Sequence, residues 1–288
     1  MPTQKLLTHT PVDLERARAV ATEAAEQAGA VVLAGAGLDV PARAKDATGD
    51  LVTKLDFDAE RLIVQRIRRA FPQHRILSEE SGLFDASDQS WVWLVDPLDG
   101  TNNVAIGLCN YVIGIALCRD GVPVLGVVHD PVRGATWSAA SGTGATGPDG
   151  RAVRPCHRRP PHGPILAWAQ GYRVGRDDPA AQALRLVLES RSRRLLQLWA
   201  PLLAWVMLAR GDIHGYVGLR AERVDLPAGS LIAREAGIEV RGFDGRPFDE
   251  RIDGPHDRNF VAGPPHIIPE LLAMVRAAGQ VRITGLAL

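Results

Sequence analysis

Cysteine, aromatic residues and net charge are all scarce in this chain, and each shortage removes a class of protein. The 288 residues hold three cysteines, Cys109, Cys118 and Cys156. An odd, widely spaced set makes no disulfide framework, and no Cys/His cluster has zinc-site spacing, so a reducing cytoplasm suits the chain. Aromatics make up 5% of the sequence against 46% hydrophobic residues, so aliphatic packing must build the core. Lys+Arg and Asp+Glu number 33 each, which leaves no basic excess to hold nucleic acid. No apolar run approaches the ~20 residues of a membrane span, and Met1-Pro-Thr-Gln-Lys-Leu-Leu7 lacks a signal peptide's apolar core. The expectation is a cytoplasmic protein with neither membrane nor nucleic acid as partner.

The length allows one large domain or two. Asp13 is placed to cap an Ala- and Glu-rich helix that runs to about Ala34, with Gly35 and Gly37 as stop signals. A second helix spans 56–70 and ends before Pro72. Strands are expected over 75–78, 91–95, 111–118, 122–129 and 135–139, with Asp120-Gly121 as a hairpin turn. The Gly/Pro-rich middle, 141–164, carries Arg151, Arg154, Arg158 and Arg159; it reads as a linker or as a basic lobe beside an anion site. Beyond it, strands over 165–169, 194–198, 213–217 and 259–262 alternate with helices over 179–190, 200–210, 226–236 and 266–278. This order argues for layered sheets and helices.

One stretch carries chemistry: Trp91-Val-Trp-Leu-Val-Asp96-Pro97-Leu98-Asp99-Gly100-Thr101-Asn102. A run of β-formers delivers two carboxylates onto a turn expected at Pro97 and Gly100. Carboxylates suit Mg²⁺, which can organise phosphate oxygens, and the Gly100-Thr101 backbone can offer amides to an anion. The structural alternative is a strand followed by an acidic turn. Further acidic groups sit at element boundaries: Asp56, the pair Glu79-Glu80, and Asp225. Asp56 and Asp225 can equally be helix N-caps, and Glu79-Glu80 a solvated turn.

Taken in order, these motifs resemble the inositol monophosphatase superfamily. Its pattern is an Asp, then Glu-Glu, then Asp-Pro-(Ile/Leu)-Asp-Gly-Thr, then Trp-Asp-x-x-Ala-Gly. Here it stands as Asp56, Glu79-Glu80, Asp96-Pro97-Leu98-Asp99-Gly100-Thr101 and Val224-Asp225-Leu226-Pro227-Ala228-Gly229. The resemblance covers roughly residues 45 to 240. It implies a layered α/β sandwich with a metal site in the cleft between two halves, an N-terminal α+β half over 1–145 and a C-terminal α/β half over 146–288. It further implies two or three Mg²⁺ ions held by Glu79, Asp96, the Leu98 carbonyl, Asp99 and Asp225, with Glu80 behind them or on a weaker ion. Gly100 and Thr101 amides, with Asp99, would bind substrate; Thr101, bonded to Asp56 and helped by Glu79, would orient and deprotonate the attacking water.

The implied function is a Mg²⁺-dependent, lithium-sensitive phosphatase of small phosphorylated polyols or sugars, inositol 1-phosphate first. Fructose 1,6-bisphosphate and 3′-phosphoadenosine 5′-phosphate are alternative substrates, and a metal-binding regulatory protein is the non-enzymatic alternative. A homodimer is implied, with the 104–116 region, Trp168 or Trp205 at its interface. Three departures fall on the substrate side. Val224 replaces the family's Trp, Trp199 stands where Gly is usual, and the family's inositol-contacting Glu, seven residues before the metal Asp, falls on Gly218. Arg220, Glu222 and Arg223 lie nearby and read either as contacts for another substrate, such as one with a second phosphate, or as exposed and inert. Lys45 is a candidate for attracting an anion, and His129 and His214 read as structural.

Overall fold

In the computed structural model, residues 12–37, 41–45, 47–155, 162–254 and 258–282 are described. Asp13 caps α1 (Leu14–Gly35) by accepting from the Glu15 and Arg16 amides. A two-stranded ribbon, β1 (Arg43–Ala44) and β2 (Leu51–Val52), leads into α2 (Lys54–Ala70). Then come β3 (His74–Ser78), β4 (Gly82–Phe84), β5 (Asp88–Asp99), the short α3 (Thr101–Ala105), β6 (Val112–Arg119), β7 (Val122–Asp130), β8 (Ala135–Ala140) and β9 (Ala145–Thr146). The Asp120-Gly121 turn between β6 and β7 has φ of 48° and 82°, the paired positive values of a two-residue hairpin. These seven strands form one sheet in the order β4-β3-β5-β6-β7-β8-β9, antiparallel except for the β3–β5 pair.

The remaining chain gives β10 (Ile165–Gln170), α4 (Pro179–Arg191), β11 (Arg194–Leu196), α5 (Pro201–Arg210), β12 (Gly215–Leu219), α6 (Pro227–Glu235), β13 (Glu239–Gly242), β14 (Phe260–Gly263) and α7 (Ile268–Ala278). Its five strands form a second sheet, ordered β11-β10-β12-β14-β13.

Strand alternation sets the layers, because successive side chains point to opposite faces. Trp91, Trp93 and Val95 of β5 pack with α1 and α2, while Val92 and Leu94 enter a different core with α5 and α6. That second core also takes Tyr216 and Phe260 from the second sheet. The opposite face of this sheet, with Leu166, Trp168 and Val217, is covered by α4 and α7. The result is a five-layer stack of helices, sheet, helices, sheet and helices: the α/β sandwich.

Trp168 and Trp205 do not form an interface. They are 2% and 0% exposed, and Trp205 stacks on Phe260 at 4.9 Å, so both are core residues. In the 104–116 region only a few apolar side chains face outward, chiefly Ile106 and Leu108.

His74 shows how the aliphatic core absorbs a polar group. It is buried, accepts from Trp93 Nε1 at Nδ1 (3.1 Å), and stacks between Phe71 and Trp91. Burial lowers its pKa, as it does for His129 and His214. A base with a depressed folded pKa binds protons more readily when unfolded, so stability is lost as pH falls below ~6.5. His74→Gln keeps an acceptor for Trp93 and should melt less differently between pH 7.5 and 5.5 than the native chain. An unchanged difference would remove His74 from this account.

Candidate active site

Beyond Val95, β5 does not turn at Pro97, contrary to expectation. The strand continues to Asp99, with a register shift against β6 between Asp96 and Asp99. Proline cannot donate to a ladder and is tolerated at such an irregularity. The turn comes one residue later, at Gly100, whose φ of 108° favours glycine and whose Cβ would lie 2.6 Å from the Asn110 carbonyl. Asp96 and Asp99 are therefore presented from a rigid strand. Both are buried, and each accepts a backbone amide: Leu98 N–H on Asp96 Oδ1 (3.1 Å) and Leu202 N–H on Asp99 Oδ2 (2.7 Å).

Asp56 is not the N-cap of α2. Thr53 is, and Asp56 closes a capping box by accepting from the Thr53 amide (2.7 Å) and hydroxyl (2.6 Å) on Oδ2. Its other oxygen accepts from Thr101 Oγ1 at 2.6 Å, and Thr101 Oγ1 also reaches the Leu98 carbonyl at 3.0 Å. Asp225 is no N-cap either: Leu226 holds that position, without a side-chain cap bond. Its carboxylate is thus not spent on the helix and lines a cavity together with Glu79, Asp96, Leu98, Asp99, Gly100 and Thr101.

Lys45 is a cation paired with this set. Its Nζ lies 2.7 Å from Glu79, 2.6 Å from Glu80 and 3.4 Å from Asp50. Burial would lower the Lys45 pKa, but the two glutamates outweigh it and hold the ammonium above its usual range. Burial raises Asp96, Asp99 and Asp225, and mutual repulsion among these carboxylates and Glu79 raises them further. Glu80 is pushed up to about 7 by burial, opposed by Lys45.

Among the described residues no three acidic, His or Cys side chains already form an ion cage. Mg²⁺ rarely needs one, since it keeps several waters and takes one or two carboxylates plus substrate phosphate. The donors fit it: they are all oxygens, they line one cavity, and their crowded negative charge calls for a cation.

Other residues fall differently from expectation. Of Arg220, Glu222 and Arg223, only Arg220 is exposed; Glu222 and Arg223 are half-buried, and Glu222 lines the cavity and acts electrostatically on Asp225. Gly218 is buried within β12, where a Cβ would meet the Phe260 ring at 2.2 Å. The position faces packed core, and the carboxylate near Asp225 comes from residue 222 instead. Trp199 does line the cavity, half exposed, with φ of 51°. That conformation explains why glycine is usual there. Arg151 pairs with Asp149 away from the cavity, and Arg158 and Arg159 lie outside the described residues.

Glu60 escaped the sequence reading. It is buried on α2 and accepts from the Glu80 and Ser81 amides and from the Ser78 and Ser81 hydroxyls, so it anchors the Glu79-Glu80 turn. Only its place one helical turn after Asp56 hinted at this. Arg176, Arg185 and Tyr172 also line the cavity; they are far from the motifs in sequence and carried no signal.

A model of the inositol monophosphatase family matches residues 13–280. The chain belongs to the inositol monophosphatase family. Nus factor SuhB of Pasteurella multocida is 32% identical over 259 residues, covering 89% of this chain and 94% of the relative. Among solved structures, the extragenic suppressor protein suhB of Bartonella henselae superposes with a TM-score of 0.81 at 26% identity, covering 90% and 97% of the two chains. The inositol monophosphatase of Anabaena gives 0.78 at 29% identity, covering 94% and 98%. The inositol monophosphatase family is generally Mg²⁺-dependent and acts on phosphate esters. Some relatives bear the name of a Nus factor, so the charge-based expectation that nucleic acid is no partner gains no support from them. Among the described residues no helix is long and apolar enough to cross a membrane.

Proposed function

We propose that this protein is a Mg²⁺-dependent phosphomonoesterase of small phosphorylated polyols or sugars, with inositol 1-phosphate the first substrate to test. The observation that carries the reading is the Thr101–Asp56 hydrogen bond at the wall of a cavity lined by Glu79, Asp96, Asp99 and Asp225. That bond would let Asp56 take a proton relayed through the Thr101 hydroxyl, a use that water activation has and metal binding alone does not.

In this reading Glu79, Asp96, the Leu98 carbonyl, Asp99 and Asp225 hold the ions. Bound Mg²⁺ supplies the positive charge that neutralises a phosphate dianion and stabilises its departing oxygen. The Thr101 hydroxyl has one proton, and it is directed at Asp56 and the Leu98 carbonyl. Its lone pairs are left to accept from the attacking water. As that water loses its proton to Thr101 Oγ1, the Thr101 proton passes to Asp56, with Glu79 as a second acceptor nearby. Burial raises the Asp56 pKa against the hydrogen bonds from Thr101 and Thr53, which makes it a better proton acceptor than an exposed Asp. The Gly100 and Thr101 amides face the phosphate, and Glu222 is placed to accept from a polyol hydroxyl. The Ile106 and Leu108 side chains supply an apolar patch for a homodimer.

Phosphate release with and without Mg²⁺, across inositol 1-phosphate, fructose 1,6-bisphosphate, 3′-phosphoadenosine 5′-phosphate and β-glycerophosphate, tests the reading. No Mg²⁺-dependent release on any of them would favour the regulatory alternative. Thr101→Ala should lower kcat by roughly 100-fold while the melting-temperature rise caused by Mg²⁺ stays. Thr101→Ser should recover most of the loss. Loss of the Mg²⁺ shift in Thr101→Ala would make the residue a metal-site element instead of a water-orienting one.

A further inference from the structure

The carboxylates occupy only part of the cavity. It encloses about 400 Å³, within the ~300–1,000 Å³ of sites for whole small molecules. Another stretch of wall is built by the segment that follows β10 and by α4. Arg176 and Arg185 line it, and among the described residues neither guanidinium has an ion-pair or hydrogen-bond partner. Two unpaired arginines facing one cavity are a ready partner for an anion, because guanidinium groups match phosphate and carboxylate oxygens in a planar fork.

Trp199 adds an independent observation. A bulky residue at φ 51° is strained, and such strain persists only where the surroundings impose it. Here Asn103 Nδ2 donates to the Leu198 carbonyl (2.7 Å) and contacts the Trp199 carbonyl (3.4 Å), and Pro201 opens α5 just beyond. The strained backbone holds a half-exposed indole in the cavity wall. An indole face takes up a flat ring or the apolar side of a sugar.

We infer that the cavity takes a phosphomonoester bearing a second, remote anionic group on a ring body. Arg176 and Arg185 bind the second anion, and Trp199 is the platform for the ring. This rests on the phosphatase reading above and adds a subsite to it. The carboxylate end with its cations takes the scissile phosphate. The arginine wall selects against singly charged esters.

The test compares matched pairs of substrates: fructose 1,6-bisphosphate against fructose 1-phosphate, and 3′-phosphoadenosine 5′-phosphate against adenosine 3′-phosphate. For each pair the ratio of kcat/KM is measured in the native protein and in Arg176→Gln/Arg185→Gln. The native ratio should favour the doubly charged member at least tenfold in one pair, and that pair identifies the ring as sugar or nucleoside. The double variant should lose about tenfold of that ratio. Binding of the same compounds is measured by calorimetry with Ca²⁺ in place of Mg²⁺. Arginine-dependent preference in binding without any turnover would overturn the phosphatase reading and keep the subsite. Turnover with a ratio that the double variant does not change would overturn the subsite and keep the phosphatase reading. Absence of both would overturn both.

Discussion

Asp96→Asn is expected to lower Mg²⁺-dependent turnover about a thousandfold while raising the melting temperature of the metal-free protein. The first effect follows from the role proposed for Asp96 as one of the carboxylates that would hold the Mg²⁺ ions. Metal charge supplies several kcal/mol to the transition state, and each ~1.4 kcal/mol is tenfold in rate. The second follows from the electrostatics. Asp96 is buried, and its repulsion with Glu79, Asp99 and Asp225 adds to the cost of burying it. A neutral amide of the same shape keeps an oxygen for the Leu98 amide and removes one charge from the cluster. Melting curves in chelator and in Mg²⁺ should therefore cross over: Asp96→Asn higher without metal, the native protein gaining more with it. Full activity in the variant would discard the metal model; a lower melting point in chelator would show that the repulsion does not govern stability.

Gly218→Glu, which restores the residue usual in the resembling family, is expected to destabilise the fold instead of improving inositol phosphate turnover. The new Cβ would stand 2.2 Å from Phe260 Cε1, and Phe260 is itself held between Trp205 and Tyr216. Overpacking of this kind costs ~1–3 kcal/mol, and an unpaired buried carboxylate adds several more. The sum is on the order of 4 kcal/mol, a large share of a domain's typical stability. Thermal unfolding followed by circular dichroism measures it. A variant that melts like the native chain and gains turnover on inositol 1-phosphate would refute this account and return the specificity role to position 218.

The two cases show why the substrate side was harder to read than the metal side. Asp96, Asp99 and Thr101 lie within six consecutive residues on one strand end, so their proximity is written in the chain itself. Asp56 and Thr101 are 45 residues apart and were linked only through the resemblance; the hydrogen bond between them needs α2 packed beside β5. Position 218 was misjudged because a residue's count from Asp225 says nothing of which face of β12 it occupies, and that face meets Phe260. Trp168 and Trp205 looked like surface candidates because their burial depends on which elements stack over them.

The alternation of apolar residues, the cap at Asp13 and the hairpin glycine are local, and by themselves they determined the helices, most strands and the layered class. Spacing alone put Asp96 and Asp99 side by side, whereas Glu79 and Asp225 joined the metal-ligand candidates through the family resemblance. Only the tertiary structure decided what surrounds them. It brought Lys45 against Glu79 and Glu80, hid Glu60 behind their turn, and set Arg176, Arg185 and Trp199 around one cavity. Those placements arise from contacts between residues distant in the chain, where the packing of two sheets and the helices between them, not any local preference, selects the neighbour.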